Sequence, residues 1–576
     1  MSRLFRFFRP YLGLSIVAVL LLFVQALSEL YLPSLMADIV DVGIRQGKPG
    51  FIWAVGLRML LVALSGGTAA VFVGFASSRV AAGVTRDVRR AVFRSVESFS
   101  RAEFDDFSTA SLITRTTNDV SQLQHLILMG FRMLCFAPVM GMGSIVMAVR
   151  TSPSMSWILG LAVFVVIGMI VAVFGIAMPR FRIMQRLVDR LNLVTREHLS
   201  GLMVIRAFGT QGFERDRFAK ANDELTAVNL FVNRVMTLLA PSMSLVMNGV
   251  AILVVWVAAH RIASSTMQVG LMMAYLQYGM HVVMSFMILS MMFIMIPRAA
   301  VSASRIAEVL SAVPSIQDPG HPLHVREAER GVVEFRNVSF SYPNAEAEVL
   351  HSVSFTARPG ETVAFIGPTG CGKSTLVNLI PRFYDASGGS VLVGGVDVRN
   401  LAQEELRREI GYVPQKGILM SGSVAANLRY GKPDASDAEI GEAARVAQAE
   451  QFILELPDGY GSVIAEGGSN VSGGQRQRLA IARALVRKPP VYIFDDSFSA
   501  LDLRTDAALR QALKAHTVHS TVLIVAQRIS TIMNADRIIV LDEGRVAGSG
   551  THRELLESCP LYRQIAQSQL AGEALA

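Results

Sequence analysis

The chain has 576 residues, 52% of them hydrophobic and 17% charged, with a mean hydropathy of +0.42. That balance excludes a disordered chain and argues against a purely soluble enzyme, which carries about 25% charged residues. Lys+Arg 54 against Asp+Glu 46 leaves +8, an excess that suits nucleic acid or the anionic face of a membrane. Cys135, Cys371 and Cys559 lie far apart and give neither a disulfide framework nor zinc-ligand spacing.

Within the first 300 residues lie six apolar runs, at roughly 12–36, 52–76, 127–149, 154–178, 236–260 and 270–297. Each is long enough to cross a bilayer, which takes about 20 helical residues. The first run is too long for a cleavable signal peptide and is not followed by a small-residue cleavage site. Arginines gather in two of the connections, from Arg79 to Arg115 and from Arg180 to Arg217, while the other connections carry few charges. By the positive-inside rule, both termini and both arginine-rich loops face the cytoplasm. The basic excess therefore belongs to a multi-pass protein of a cell membrane, with the lipid bilayer as partner and no nucleic acid. The two loops, about 50 residues each, are too long for simple connectors. They hold few Gly or Pro residues, so the membrane helices are expected to continue through 80–98 and 181–199, with short transverse helices at 104–108 and 208–213.

Two features inside the spans bear on cargo. Gln25 and Glu29 stand one turn apart in the first span. An ionisable group there is costly and usually faces an aqueous cavity, which makes Glu29 a candidate for cationic substrates, unless it is simply solvated near the outer end. Met280, Met284, Met287, Met291 and Met295 fall on one face of the sixth span. Methionine suits a surface that must fit many apolar shapes, and it serves equally in a packing seam or a lipid face.

After residue 300 the character changes. Residues 302–313 still read as helix, and Pro314, Pro319, Gly320 and Pro322 then mark a linker. Strands expected at 332–335, 338–342, 353–357 and 362–366 open an α/β domain. The expected organisation is an α-helical six-span membrane domain over 1–312, a linker over 313–330 and an α/β phosphate-loop domain over 331–576.

The strongest chemical signal is Gly367-Pro368-Thr369-Gly370-Cys371-Gly372-Lys373-Ser374, placed between an apolar strand and a helix that begins at Thr375. The glycines let backbone N–H groups converge on nucleotide phosphates, Lys373 supplies a point charge, and Ser374 offers its hydroxyl to magnesium. A second apolar strand, 491–494, ends in Asp495-Asp496, and Asp495 is placed to hold magnesium. Between them, Ser472-Gly473-Gly474-Gln475 opens a basic helix, a second anion-binding terminus. One nucleotide does not need both termini, which hints that the second serves another copy.

The order phosphate loop, Gln415 after Gly411-Tyr412-Val413-Pro414, Ser-Gly-Gly-Gln, aspartate strand and Ser499-Ala500-Leu501-Asp502 resembles the ATP-binding-cassette (ABC) nucleotide-binding domain. With six preceding spans, the whole chain is similar to a half-transporter of the ABC exporter class. The resemblance implies ATP and Mg2+ as cofactors and two cassettes paired head-to-tail, each phosphate loop facing the other chain's signature. Tyr342 would then stack on adenine, and Gln415 would contact magnesium and sense the membrane loops. Ser472, Gly473, Gly474 and Gln475 would cap the partner's nucleotide, Asp502 would bridge the cassettes, and the loop tips would dock on them. The substrate class implied is small, hydrophobic or amphipathic: drugs, lipids or peptides.

Two positions depart from the family pattern. Members that hydrolyse ATP briskly carry Glu where this chain has Asp496, and His where it has Gln527. Aspartate is one methylene shorter, and misplacing a general base by about 1 Å can cost about 100-fold in rate. Glutamine cannot carry the imidazolium charge. Both catalytic positions are thus degenerate replacements, while the signature is intact but for Val471 in place of the common Leu. The pattern resembles one subunit of the bacterial heterodimeric exporters, whose partner half-transporter supplies the catalytic Glu and His. A slowly hydrolysing homodimer, or a specific transporter such as a metal-chelate importer on the same scaffold, stays open.

Overall fold

The computed structural model describes residues 2–343, 345 and 347–569. Six apolar helical segments form among them: Arg6–Ile44, Pro49–Glu97, Thr109–Thr151, Pro153–Ser200, Gln211–Ala263 and Val269–Ser311. They run 39 to 53 residues, so each is longer than the hydrocarbon layer requires. The chain divides into two compact units, Met1–Glu97 with Thr109–Ala312, and Ser98–Ser108 with Val313–Ala576.

In the first unit the spans meet through small residues. A Cβ on Gly66 would lie 2.9 Å from Ser28 Cβ, and one on Gly141 would lie 3.1 Å from Ser285 Cβ. Close backbone approach is what holds helices together where lipid removes the hydrophobic drive between them. Outward-facing side chains are apolar and open, as with Leu20 (60% exposed) and Phe164 (76%). Asp41 is a buried exception: its carboxylate accepts the backbone N–H groups of Gly270 (2.7 Å) and Leu271 (3.1 Å) and so caps the helix Val269–Ser290 from another span.

The first expected transverse helix is Arg101–Phe107, and it belongs to the second unit. Ser100 and Glu103 form its capping box, with the Ser100 N–H donating to Glu103 at 2.8 Å. The other Glu103 oxygen accepts the Ser315 N–H at 3.0 Å, and the Asp105 carboxylate lies 3.5 Å from the Tyr384 hydroxyl. Its ring Phe104 stands edge-on to Phe99, 6.3 Å between centroids. The second short helix corrects the expectation of 208–213, because it falls at Leu202–Ala207. Gly201 ends the preceding long helix, and Gly209, at φ +66°, turns the chain into Gln211–Thr237. Phe208 and Phe213 therefore flank a turn, 78% and 69% exposed.

The second unit carries two main sheets. An antiparallel sheet runs Leu350–Ala357, Val333–Phe340, Gly388–Val393, Val396–Asp397. Here the two strands expected at 332–335 and 338–342 are one, with a bulge between Phe335 and Val338 where Asn337 sits at φ +48°. The larger sheet runs Arg545–Gly550, Arg537–Asp542, Thr362–Ile366, Thr521–Val525, Val491–Asp495, Ile410–Val413, parallel except at Arg545–Gly550. Its inner strands are apolar on both faces, with Phe365, Phe494 and Leu523 fully buried. Each such side chain contributes about 1.5–3 kcal/mol, and together they fix the strand ends on which the site is built.

Candidate functional site

Parallel register brings four strand ends side by side. Phe365 pairs with Val525, Val525 with Asp495, and Phe494 with Val413. Just past those ends come the phosphate loop, Gln527, Asp496 and Gln415, at the carboxyl edge where α/β sheets hold ligands.

The phosphate loop leads into the helix Lys373–Leu379. Gly372 sits at φ +94°, and a Cβ there would lie 2.8 Å from Leu350 Cδ2 and 3.1 Å from the Val349 carbonyl oxygen, so only glycine fits. Lys373 is buried and its Nζ donates to the carbonyls of Gly367 (2.9 Å) and Pro368 (2.8 Å), holding the charge inside the loop. Cys371 is also buried, its Sγ 3.5 Å from Lys373 Nζ. The Ser374 hydroxyl donates to Asp495 Oδ1 at 2.8 Å. One hydroxyl beside one carboxylate suits magnesium, whose remaining ligands would come from water and nucleotide phosphates. The Thr375 and Tyr342 hydroxyls are 2.8 Å apart.

Asp496 is the most constrained residue of the edge. Its Oδ2 accepts amide N–H groups from both Gln415 (3.1 Å) and Gln527 (2.8 Å), and its backbone N–H donates to Val525. The backbone is left-handed, φ +46°, a conformation uncommon for any residue but glycine. Burial pushes the carboxyl groups of both Asp495 and Asp496 above the usual carboxylate range, against the opposing hydrogen bonds from Ser374 to Asp495 and from Gln415 to Asp496. Asp496 and Gln527 thus bond to each other directly, and Gln415 joins Asp496 rather than standing free.

The signature starts a helix, Gly473–Val486, as its residue types require. Ser472 is the N-cap: its Oγ accepts the Gln475 N–H (3.2 Å), and its own N–H donates to Gln475 Oε1 (2.9 Å). Gly473 and Gly474 form the first turn, and Val471 is buried beneath. Asp502 caps the helix Leu503–His516 by accepting the Thr505 N–H at 3.0 Å.

One contributor was absent from the sequence reading. Tyr384 stands edge-on to Tyr342, 5.2 Å between centroids, and closes an aromatic cluster with Phe340. It belongs to no motif, and only the folded contacts reveal it.

In the membrane unit, Gln25 Nε2 donates to Glu29 Oε1 at 3.0 Å. Glu29 also lies within electrostatic reach of His281, whose buried Nδ1 has no hydrogen-bond partner among the described residues. Met280, Met284 and Met291 are 41%, 42% and 51% exposed and Met287 is half-buried, so the methionine row is not a packing seam inside this chain. A break at Met291 divides the sixth span into Val269–Ser290 and Met292–Ser311.

Comparison with known proteins settles the family. Residues 15–286 match the ABC transporter transmembrane region and residues 350–499 match the ABC transporter family. An uncharacterized ABC transporter ATP-binding protein of Mycobacterium tuberculosis is 42% identical, over 97% of each chain. The chain belongs to the ABC transporter family. It is an exporter-type half-transporter, with six candidate spans followed by a nucleotide-binding domain. Another uncharacterized ABC transporter ATP-binding protein, from Bacillus subtilis, is 36% identical over 100% of this chain and 99% of its own. An ATP-dependent lipid A-core flippase of Aromatoleum aromaticum is 32% identical, covering 99% of this chain and 96% of that protein. The solved structure of a bacterial Atm1-family ABC exporter with ATP bound matches at a TM-score of 0.81 and 27% identity, over 97% of this chain and 98% of that one. Membership implies ATP hydrolysis by a transporter that works as a dimer in a membrane.

Proposed function

We propose that this half-transporter is one subunit of a heterodimeric exporter. Its own site binds Mg-ATP and turns it over slowly, while its Ser472–Gln475 turn completes the partner's catalytic site. What supports this above all is Asp496. A carboxylate oxygen that already accepts two amide N–H groups, on a side chain one methylene short, is a poor base for the attacking water. Gln527, spent on Asp496, carries no charge toward a γ-phosphate.

Lys373 and the loop 367–372 would hold the β- and γ-phosphates, with Thr375 alongside. Ser374, Asp495 and Gln415 would hold magnesium, which screens the phosphate charge when bound. Tyr342, backed by Tyr384, would take the adenine. The division we adopt is membrane domain 1–312, linker 313–330 and cassette 331–576, with both termini and the cassette in the cytoplasm. The cargo is hydrophobic or amphipathic. It meets the open methionine face of the sixth span, and Gln25 and Glu29 offer a polar contact. The lipid substrate named for the Aromatoleum relative lies within that class.

Asp496→Asn in the assembled transporter tests the assignment. A base already poorly placed has little to lose, so transport should fall by less than about twofold. Complete loss of ATP hydrolysis on that single change would make this site catalytic.

A further inference from the structure

The N-terminal segment, the third span and the sixth span enclose an apolar groove of about 450 Å3 that neither the nucleotide chemistry nor the cargo candidates use. Its lining includes Phe5, Phe8, Leu134 and Ile296, with small residues such as Gly130 and Ala303 among them. Apart from the Cys135 thiol, no side chain lining it can hydrogen-bond. Phe5 (69% exposed), Leu134 (56%) and Ile296 (41%) leave it open to one side. A surface this apolar and this open, on helices that cross the bilayer, is one for a hydrocarbon chain.

Charge decides what that chain is attached to. Arg6 and Arg9 lie on the N-terminal segment, Arg132 between lining residues Phe131 and Leu134, and Arg298 between Ile296 and Ala299. All four are exposed, and none forms an ion pair among the described residues. Arg6 instead stacks over the Phe7 ring at 4.9 Å. Residues 2–11, 120–136 and 292–303 contain no Asp or Glu to neutralise them. Unpaired arginines beside an apolar groove between spans match an anionic head group joined to an acyl chain.

We infer that this groove is a binding site for an anionic phospholipid of the bilayer, one acyl chain lying along Gly130, Leu134 and Ile296 and the head-group phosphate meeting the arginines. With the N-terminus in the cytoplasm, the site lies in the inner leaflet. It concerns a resident lipid, so it stands or falls separately from the heterodimer and from the cargo.

The test uses the full-length assembled transporter in phosphatidylcholine nanodiscs carrying a trace of phosphatidylglycerol with a photoreactive group in mid-chain. Adducts are mapped by peptide mass spectrometry. Labelling should concentrate on 127–135 and at Ile296, several-fold above that by the matched phosphatidylcholine probe. Changing Arg6, Arg9, Arg132 and Arg298 together to Gln should bring the two probes level. Gly130→Leu should remove the adducts by filling the groove. The nearest atom to a Cβ there is Leu134 Cδ1 at 3.9 Å, so the added side chain has room. Both variants should still bind ATP, which checks that they fold. Equal labelling by the two probes in the unchanged protein would overturn the head-group assignment. Absence of adducts, with Cys135 cross-linking to the other subunit through a short bis-maleimide, would show that a protein surface covers the groove instead.

Discussion

Ser472→Arg is expected to lower ATP turnover by the assembled transporter by a factor of about 100 or more, the scale of losing one preorganised donor to a developing charge. The serine hydroxyl caps the helix Gly473–Val486 and the serine N–H is held by Gln475, so the helix terminus is preset to face an anion. Arginine loses the cap, and a bulky cation at a helix N-terminus opposes the dipole. The loss should appear in the partner's site, while ATP binding at this chain's own phosphate loop persists. Photolabelling by an ATP analogue separates the two. Undiminished turnover would mean that the signature serves no catalytic site.

The converse change should create activity. Asp496→Glu with Gln527→His, in this chain assembled with itself, is expected to raise ATP turnover by up to about 100-fold, the cost assigned to a base misplaced by about 1 Å. The added methylene carries the carboxylate toward the attacking water, and the imidazole restores a group that can bear charge. Removing the Gln527 amide also frees one of the two hydrogen bonds that occupy Asp496 Oδ2. Each change alone should give less than the pair, because the two side chains are in contact. No gain in the double variant would contradict the proposal that these two positions limit turnover.

The parts that were legible in the sequence share a physical reason. Phosphate binding needs glycines at fixed offsets from a strand and a helix, and crossing a bilayer needs a long apolar run, so residues 367–374 and the six spans stand out without any tertiary information. What depends on neighbours in space did not. The bulge at Asn337 splits one strand into two apparent ones, because it breaks the alternation on which the reading relied. The second tip helix falls at Leu202–Ala207 rather than at 208–213, since Gly201 and Gly209 set its limits. The capping role of Asp41 likewise depends on Gly270 and Leu271, 229 and 230 residues away, whose N–H groups it accepts. Most telling is the contact between Asp496 and Gln527. Two separate departures from a family pattern become one hydrogen-bonded pair only because the strands Val491–Asp495 and Thr521–Val525 are neighbours.

Magnesium-dependent ATP turnover of this chain purified by itself, set beside the same chain assembled with a half-transporter that carries the catalytic Glu and His, tests the central claim most directly. The proposed degenerate site predicts bound ATP and weak turnover for the chain alone, rising by orders of magnitude in the mixed assembly. Brisk hydrolysis by the chain alone, lost on Asp496→Asn, would contradict it.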